Sequence, residues 1–270
     1  LGVASGYPNA HGFTLWTRLA PVPLLADGGM GEERVDVRCE IAEDAAFRKP
    51  VQQTDLLCTH ELAHSVHLDV AGLSPGREYF YRFTAGDAVS TTGRTRTLPA
   101  AGSAPSATRI VFASCQNYEH GYFSAYRKML TDTPDLVLFL GDYIYENQWG
   151  DHPIRRHMGA EASTLAGYRV RHAQYKLDAD LQRMHAATPW AFAWDDHEVD
   201  NDYAGDVSES LDPAFVLRRS AAYQAYYEHL PLPRLMLPRG NTMRTYTHLD
   251  VGDLARIYLL DDRQYRTPQP

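Results

Sequence analysis

Four segments in the first hundred residues alternate apolar and polar positions with period two. In HGFTLWTRL (11–19), Phe13, Leu15, Trp16 and Leu19 are set among polar neighbours. In VDVRCEIAED (35–44), Val35, Val37, Cys39 and Ile41 alternate cleanly. HSVHLDVAGL (64–73) places Val66, Leu68 and Val70 on one face. After a turn at Ser74–Gly76, Tyr79, Tyr81 and Phe83 alternate in the same way. Period two is the mark of a strand with one buried face. Short strands separated by turn signals predict an antiparallel sandwich. Residues 1–98 therefore read as an all-β domain, with Tyr79 and Tyr81 as core and sheet-face residues. The stretch 99–107 is small, proline-bearing and uncharged, and reads as a linker.

From residue 108 onward the pattern changes to strand–helix–strand. RIVFASC (109–115) predicts a strand, and Tyr122, Phe123, Tyr126, Met129 and Leu130 follow at helical spacing. The run Leu136–Leu140 then leads into Gly141 and Asp142. Five consecutive apolar residues predict a strand buried on both faces. A strand–helix–strand unit of this size implies a right-handed parallel crossover, so both carboxyl ends point the same way. Cys115 and Asp142 should then be neighbours at the edge where open parallel sheets bind ligands. Residues 149–188 read as polar and helical, with Leu165, Tyr168, Tyr175, Leu177, Leu181 and Met184 buried. Arg155, Arg156, His157, Arg169, Arg171 and His172 read mostly as a solvated face. Trp190–Trp194 predicts a third short strand, Asp212–Pro233 a helix, and LARIYLLDDRQYR (254–266) a last strand ending at Asp261, Asp262 and Arg263.

The third strand changes the picture, because it ends in Asp195, Asp196, His197, Glu198, Asp200, Asn201 and Asp202. Carboxylates this close repel one another when buried, and a bound cation is the simplest way to hold them. His60, His64 and His67 also have cluster spacing, but in a strand approach they read as structural. The 270 residues carry a net charge of −8, spread over both halves: 9 basic and 12 acidic side chains in residues 1–100, 17 and 22 in 101–270. No basic face for nucleic acid is implied. An anionic substrate would need local cations, for which a metal is the obvious source. There is no apolar run long enough for a transmembrane helix, and no signal peptide. Leu1 is not an initiator, so a leader is expected to precede it. Cys39 and Cys58 could pair, and the oligomeric state is left open.

The segments GVASGYPNAHGFTLWTRL, FASCQNYEHGYFSAYRKM, DLVLFLGDYIYE, AWDDHEVDNDYAG and LLDDRQYR resemble the PhoD-like alkaline phosphatase family of calcineurin-like metallophosphoesterases. They occur in family order over nearly the whole chain. The resemblance implies an N-terminal immunoglobulin- or fibronectin-like β domain and an α/β/β/α catalytic domain. It implies hydrolysis of small phosphate monoesters and diesters outside the cytoplasm, after twin-arginine export, with ferric iron and calcium as cofactors. Carried over residue by residue, Cys115 would bind iron as thiolate. Asp142 would bridge iron and calcium, and Tyr145 would complete the iron site. Asp196 or Asn201 would bind calcium, and His197 would contact the substrate or leaving group. A trivalent iron suits carboxylate, phenolate and thiolate ligands, and calcium takes oxygen ligands. Two close metals generate a hydroxide for in-line attack and need no protein nucleophile.

One departure stands out. The family closes its site with a Gly-Asp-x-His word, and none follows Asp202; neither His229 nor His248 is preceded by Gly-Asp. The catalytic domain is therefore expected to be incomplete at its C-terminal side and inactive alone. Two other readings compete. One is a noncatalytic, calcium-binding extracellular module. The other is a cysteine hydrolase pairing Cys115 with His120 or His197, which leaves the carboxylates unexplained.

Overall fold

The computed structural model describes residues 1–105 and 107–268. Ser106, in the expected linker, and Gln269 and Pro270 lie outside the described residues. The N-terminal strands are β1 (Val3–Asn9), β2 (Gly12–Arg18), β3 (Val35–Ala42), β4 (Pro50–Cys58), β5 (Ser65–Val70), β6 (Glu78–Ala85), β7 (Ala88–Val89) and β8 (Gly93–Arg96). Then follow β9 (Ile110–Ala113), α1 (Ala125–Thr131), β10 (Leu136–Leu140), α2 (Leu165–Lys176), α3 (Ala179–Ala187), β11 (Trp190–Ala193), α4 (Phe215–His229), β12 (Thr247–Val251) and β13 (Ala255–Leu259).

Strands β4-β3-β6-β7, with β8 on β6, form one antiparallel sheet. Its apolar positions Val37, Cys39, Ile41, Tyr79, Tyr81 and Phe83 meet Val3, Phe13, Leu15, Val66 and Val70 in one core. The latter come from β1, β2 and β5, which do not form a separate sheet. They continue into a six-stranded sheet of order β5-β2-β1-β11-β10-β9. The seam is Gly6 on β1 against Trp190 on β11, running parallel. A Cβ at Gly6 would lie 2.4 Å from the Pro231 carbonyl oxygen, so only glycine fits there. Next to it, Tyr7 Oη both donates to the Phe192 carbonyl (3.0 Å) and accepts from the Phe192 N–H (3.2 Å), standing in for another rung of the ladder.

This seam alters the burial expected from period two. All of β2 is buried, not one face. Its second face packs on α4: Trp16 Nε1 donates to the Glu228 carbonyl (3.0 Å), Arg18 Nη1 lies 2.7 Å from His229 Nε2, and His67 of β5 stacks on Tyr227 at 4.0 Å. His64 is turned to the Glu33 carbonyl and His60 is exposed, so the three histidines form no cluster. Cys39 and Cys58 are buried free thiols; Cys39 faces Thr54, and Cys58 faces Val35, across the β3–β4 ladder.

Strands β9, β10 and β11 pair in parallel, as the crossover reading requires. Phe139, Tyr143, Trp190 and Phe192 form an aromatic core with His185, whose ring stacks on Trp190 at 4.1 Å. Each fully buried large apolar side chain here contributes about 1.5–3 kcal/mol relative to exposure. Burial is not uniform. β9 is the edge strand among the described residues, with Phe112 68% exposed, and Leu140 at the end of β10 is also exposed.

Four expectations from periodicity are corrected. Residues 149–163 are irregular, and helix begins only at Leu165. Tyr122 and Leu177 are exposed, because α1 starts at Ala125 and α2 ends at Lys176, leaving each outside the packed stripe. Arg171 and His172 are buried, not solvated, because α2 packs on α4, where His172 stacks on His229 at 5.1 Å, and Arg171 is taken up by the carbonyls of Tyr145, Glu146 and Ala160. The last strand, β13, pairs antiparallel with β12 in a hairpin and does not extend the central sheet.

Candidate metal centre

The parallel strands deliver three chain segments to one edge. Two residues beyond β9 stands Cys115, and two beyond β10 stands Asp142. Beyond β11 come Asp195, Asp196 and His197. The pairing continues past the strands, because the Cys115 N–H donates to the Gly141 carbonyl (3.0 Å) and the Gln116 N–H to the Asp142 carbonyl (3.2 Å). Both Cys115 (φ 53°) and Asp142 (φ 59°) are held in the left-handed region. Such backbone costs about 1–3 kcal/mol per residue and persists where the surroundings over-determine it. Gly141 (φ 95°) permits the approach: a Cβ there would stand 2.5 Å from Asp195 Cβ.

Asp142, Asp196 and His197 place potential ligand atoms within 4.8 Å of one another, and all three are buried. Tyr145 Oη donates to Asp142 Oδ2 at 3.1 Å, and the Cys115 thiol faces the same carboxylate and phenol. Asp142 Oδ1 is buried without a hydrogen-bond partner. A buried carboxylate with one orphaned oxygen, clustered with other ligand-type side chains, fits a bound cation. Burial pushes the Asp142 carboxyl up; the nearby His197 opposes that, and Asp196 and Asp195 add to it. Burial likewise raises the Cys115 thiol and the Tyr145 phenol, with Asp142 contributing to both. A raised thiol is the opposite of what a cysteine nucleophile needs. His120, one of the two histidines considered as a partner for Cys115, is turned instead to the Trp149 carbonyl.

His197 is organised by a residue the sequence reading did not single out. Its Nδ1 lies 2.8 Å from Glu146 Oε2, and Glu146 Oε1 accepts the Asn201 N–H at 3.1 Å. Burial would lower the imidazole, but the bond to Glu146 and the charges of Asp142 and Asp196 outweigh it, pushing it up to about 9. The Asn201 side-chain Nδ2 donates to Glu209 at 2.8 Å. Asp196 is committed in part, accepting the Asp202 N–H on Oδ2 at 2.7 Å.

The profile described as PhoD-like phosphatase matches residues 110–270, and that described as PhoD-like phosphatase, N-terminal domain, matches residues 1–99. This chain belongs to the PhoD-like phosphatase family. It is 50% identical over 276 residues to alkaline phosphatase D of Bacillus subtilis (strain 168), covering 100% of this chain and 47% of that protein. A solved structure described as the structure of PhoD superposes with a TM-score of 0.97 at 49% identity, covering 99% of this chain and 52% of that one. The chain therefore spans about half the length of the relatives it matches.

In this PhoD-like chain the acidic loop is also held by cations of its own. Arg263 Nε pairs with Asp195 Oδ1 (2.6 Å), Nη2 with Asp196 Oδ1 (3.3 Å) and Nη1 with Asp202 Oδ1 (3.8 Å). Arg218 Nη1 pairs with Asp200 Oδ1 at 3.0 Å. A cation is thus not needed at every carboxylate of the cluster, which narrows the expected site to the Asp142 side. Glu198 is buried and accepts the backbone N–H groups of Tyr143 and Asp195. It pins the Asp142 loop to the acidic loop, and burial together with the Asp142 charge pushes it up to about 8. Two α2 residues fix the other side. Tyr175 Oη accepts the N–H of Tyr118 (3.1 Å) and of Tyr145 (3.0 Å), tying the Cys115 and Asp142 loops together. Arg171 donates to the carbonyls of Tyr145, Glu146 and Ala160. The opposite charge in DDRQYR and the Glu in GDYIYE were the available signals in the sequence, since a packed acidic loop requires counter-charge.

Proposed function

We propose that the protein containing this chain is a metal-dependent phosphatase and phosphodiesterase acting on small phosphate esters outside the cytoplasm. The observation that carries it is the buried Asp142, its Oδ1 without a hydrogen-bond partner, clustered with Asp196 and His197, with Cys115 and Tyr145 alongside. The family membership supports the phosphatase reading and disfavours a purely structural calcium module. We assign ferric iron to Cys115, Asp142 and Tyr145, and calcium to Asp142 with Asp196 or Asn201. Bound there, the metals supply positive charge for the phosphoryl oxygens and an activated water. His197 keeps Nδ1 on Glu146, which leaves Nε2 to hand a proton to the departing ester oxygen. Residues 108–270 are assigned to an α/β/β/α metallophosphoesterase domain, and residues 1–98 to an immunoglobulin- or fibronectin-like domain joined to its sheet, with 99–107 between them. The extracytoplasmic location and twin-arginine export rest on the family resemblance. Among the described residues no helix is long and apolar enough to cross a membrane.

The test is spectroscopic. The full-length protein loaded with ferric iron is expected to show a visible phenolate-to-iron charge-transfer band and to hydrolyse a chromogenic phosphate ester in a chelator-sensitive way. Tyr145→Phe is expected to abolish the band; an unchanged band would show that the tyrosine is not a ligand.

Cation binding is also expected to strengthen as pH rises from about 6 to 9. Burial raises the Cys115 thiol and the Tyr145 phenol, and His197 is pushed up to about 9, so in the metal-free protein these three groups hold protons that a bound cation displaces or repels. Binding then releases protons and gains with pH. The rise in Tm on adding calcium or iron, measured at several pH values, checks this; a rise that shrinks toward pH 9 contradicts it.

A further inference from the structure

The protein has one exposed tryptophan, and it stands at the candidate site. Trp149 is 38% exposed, whereas Trp16, Trp190 and Trp194 are at most 1% exposed. Its ring stands edge-on to the His197 imidazole, with centroids 5.1 Å apart and planes at 75°. The Tyr145 ring covers the imidazole from another side at 4.2 Å. Trp149 is held in place by its backbone. Its N–H donates to Glu119 Oε2 at 3.2 Å, and its carbonyl lies 3.1 Å from His120 Nε2. Glu119 is itself buried and accepts the His157 N–H at 2.9 Å. A pinned backbone that presents an indole to solvent beside a reactive imidazole makes a wall, not a loose surface residue.

We propose that Trp149 is a specificity-determining residue that selects phosphate esters whose leaving alcohol carries a flat aromatic ring. This rests on the phosphate-ester reading above. With Nδ1 committed to Glu146, His197 faces the departing oxygen through Nε2. The group attached to that oxygen then lies within reach of the indole, the large apolar surface next to His197 that remains open. Offset stacking and apolar contact on an indole favour an aromatic ring over a small alkyl group. No covalent role is involved.

The experiment uses the full-length, metal-loaded protein and two substrates, 4-nitrophenyl phosphate and methyl phosphate. Their intrinsic difference in reactivity cancels when the aryl-to-alkyl ratio of kcat/KM is compared between wild type and variant. Trp149→Ala is expected to lower that ratio about tenfold, the size of one good aromatic contact, and Trp149→Phe to restore most of it. Binding gives a second readout that needs no turnover. Phenylphosphonate is expected to quench the emission of the exposed tryptophan, methylphosphonate to leave it, and Trp149→Phe to remove the quenching. Equal losses on both esters, or equal effects of both phosphonates, would overturn the proposal. If wild type neither hydrolyses either ester nor binds either phosphonate, the phosphate-ester reading itself fails, and this proposal fails with it.

Discussion

Asp142→Asn is expected to raise the melting temperature of the metal-free protein at pH 8 and to lower kcat/KM of the metal-loaded, full-length protein by about a thousandfold. The two effects have one cause. In the metal-free state Asp142 is a buried carboxyl, raised by burial and by Asp196 and Asp195, with one oxygen unpartnered. Replacing it by an amide removes charge that the fold does not satisfy. Tyr145 Oη can keep its hydrogen bond to the remaining oxygen. The same unsatisfied charge is what a cation binds, and losing a shared ligand removes several kcal/mol of charge stabilisation. About 4 kcal/mol corresponds to the thousandfold loss. Thermal melts without metal and steady-state kinetics with metal check the pair. A variant that loses both stability and activity would mark Asp142 as a structural residue.

Arg263→Met is expected to destabilise the metal-free protein by about 3 kcal/mol at pH 8, the cost typical of stripping one partner from a buried ion pair. Its guanidinium reaches Asp195, Asp196 and Asp202 at once and also donates to the Tyr203 carbonyl at 3.3 Å. Without it the three carboxylates lose their shared counter-charge and repel one another. Added salt screens such repulsion. The urea midpoints of variant and wild type should therefore draw together as salt is raised at pH 8. A gap that stays constant with salt would show that Arg263 acts through packing alone.

Much of the centre was legible in the chain before any coordinates. The run Leu136–Leu140 and the crossover rule place Asp142 beside Cys115 at the carboxyl ends of parallel strands. The apolar start and acidic finish of the third strand bring Asp196 and His197 to the same edge. These are local signals, since periodicity and turn chemistry act over a few residues. The helix assignments were weaker. Residues 149–163 have a helix-compatible composition but stay irregular, organised by Glu119, Arg155 and Arg171 across tens of residues.

The partners of the charged groups were not legible. Nothing in the spacing says that Glu146 holds His197, that Glu198 bridges two loops, or that Arg263 answers Asp195 from 68 residues away. The union of the two halves was equally hidden, since Gly6 meets Trp190 and Tyr7 caps Phe192 across 185 residues. The sequence by itself determined that β9, β10 and β11 form, that β9 and β10 run parallel, and which ligand-type side chains their ends carry, because period, turns and crossover handedness are written locally. Only the tertiary structure decided which of those side chains remain unpaired. Satisfying a buried charge is a matter of three-dimensional proximity: Arg263, Arg218 and Glu146 take most of the acidic loop and His197 as their partners, and Asp142 Oδ1 is left open.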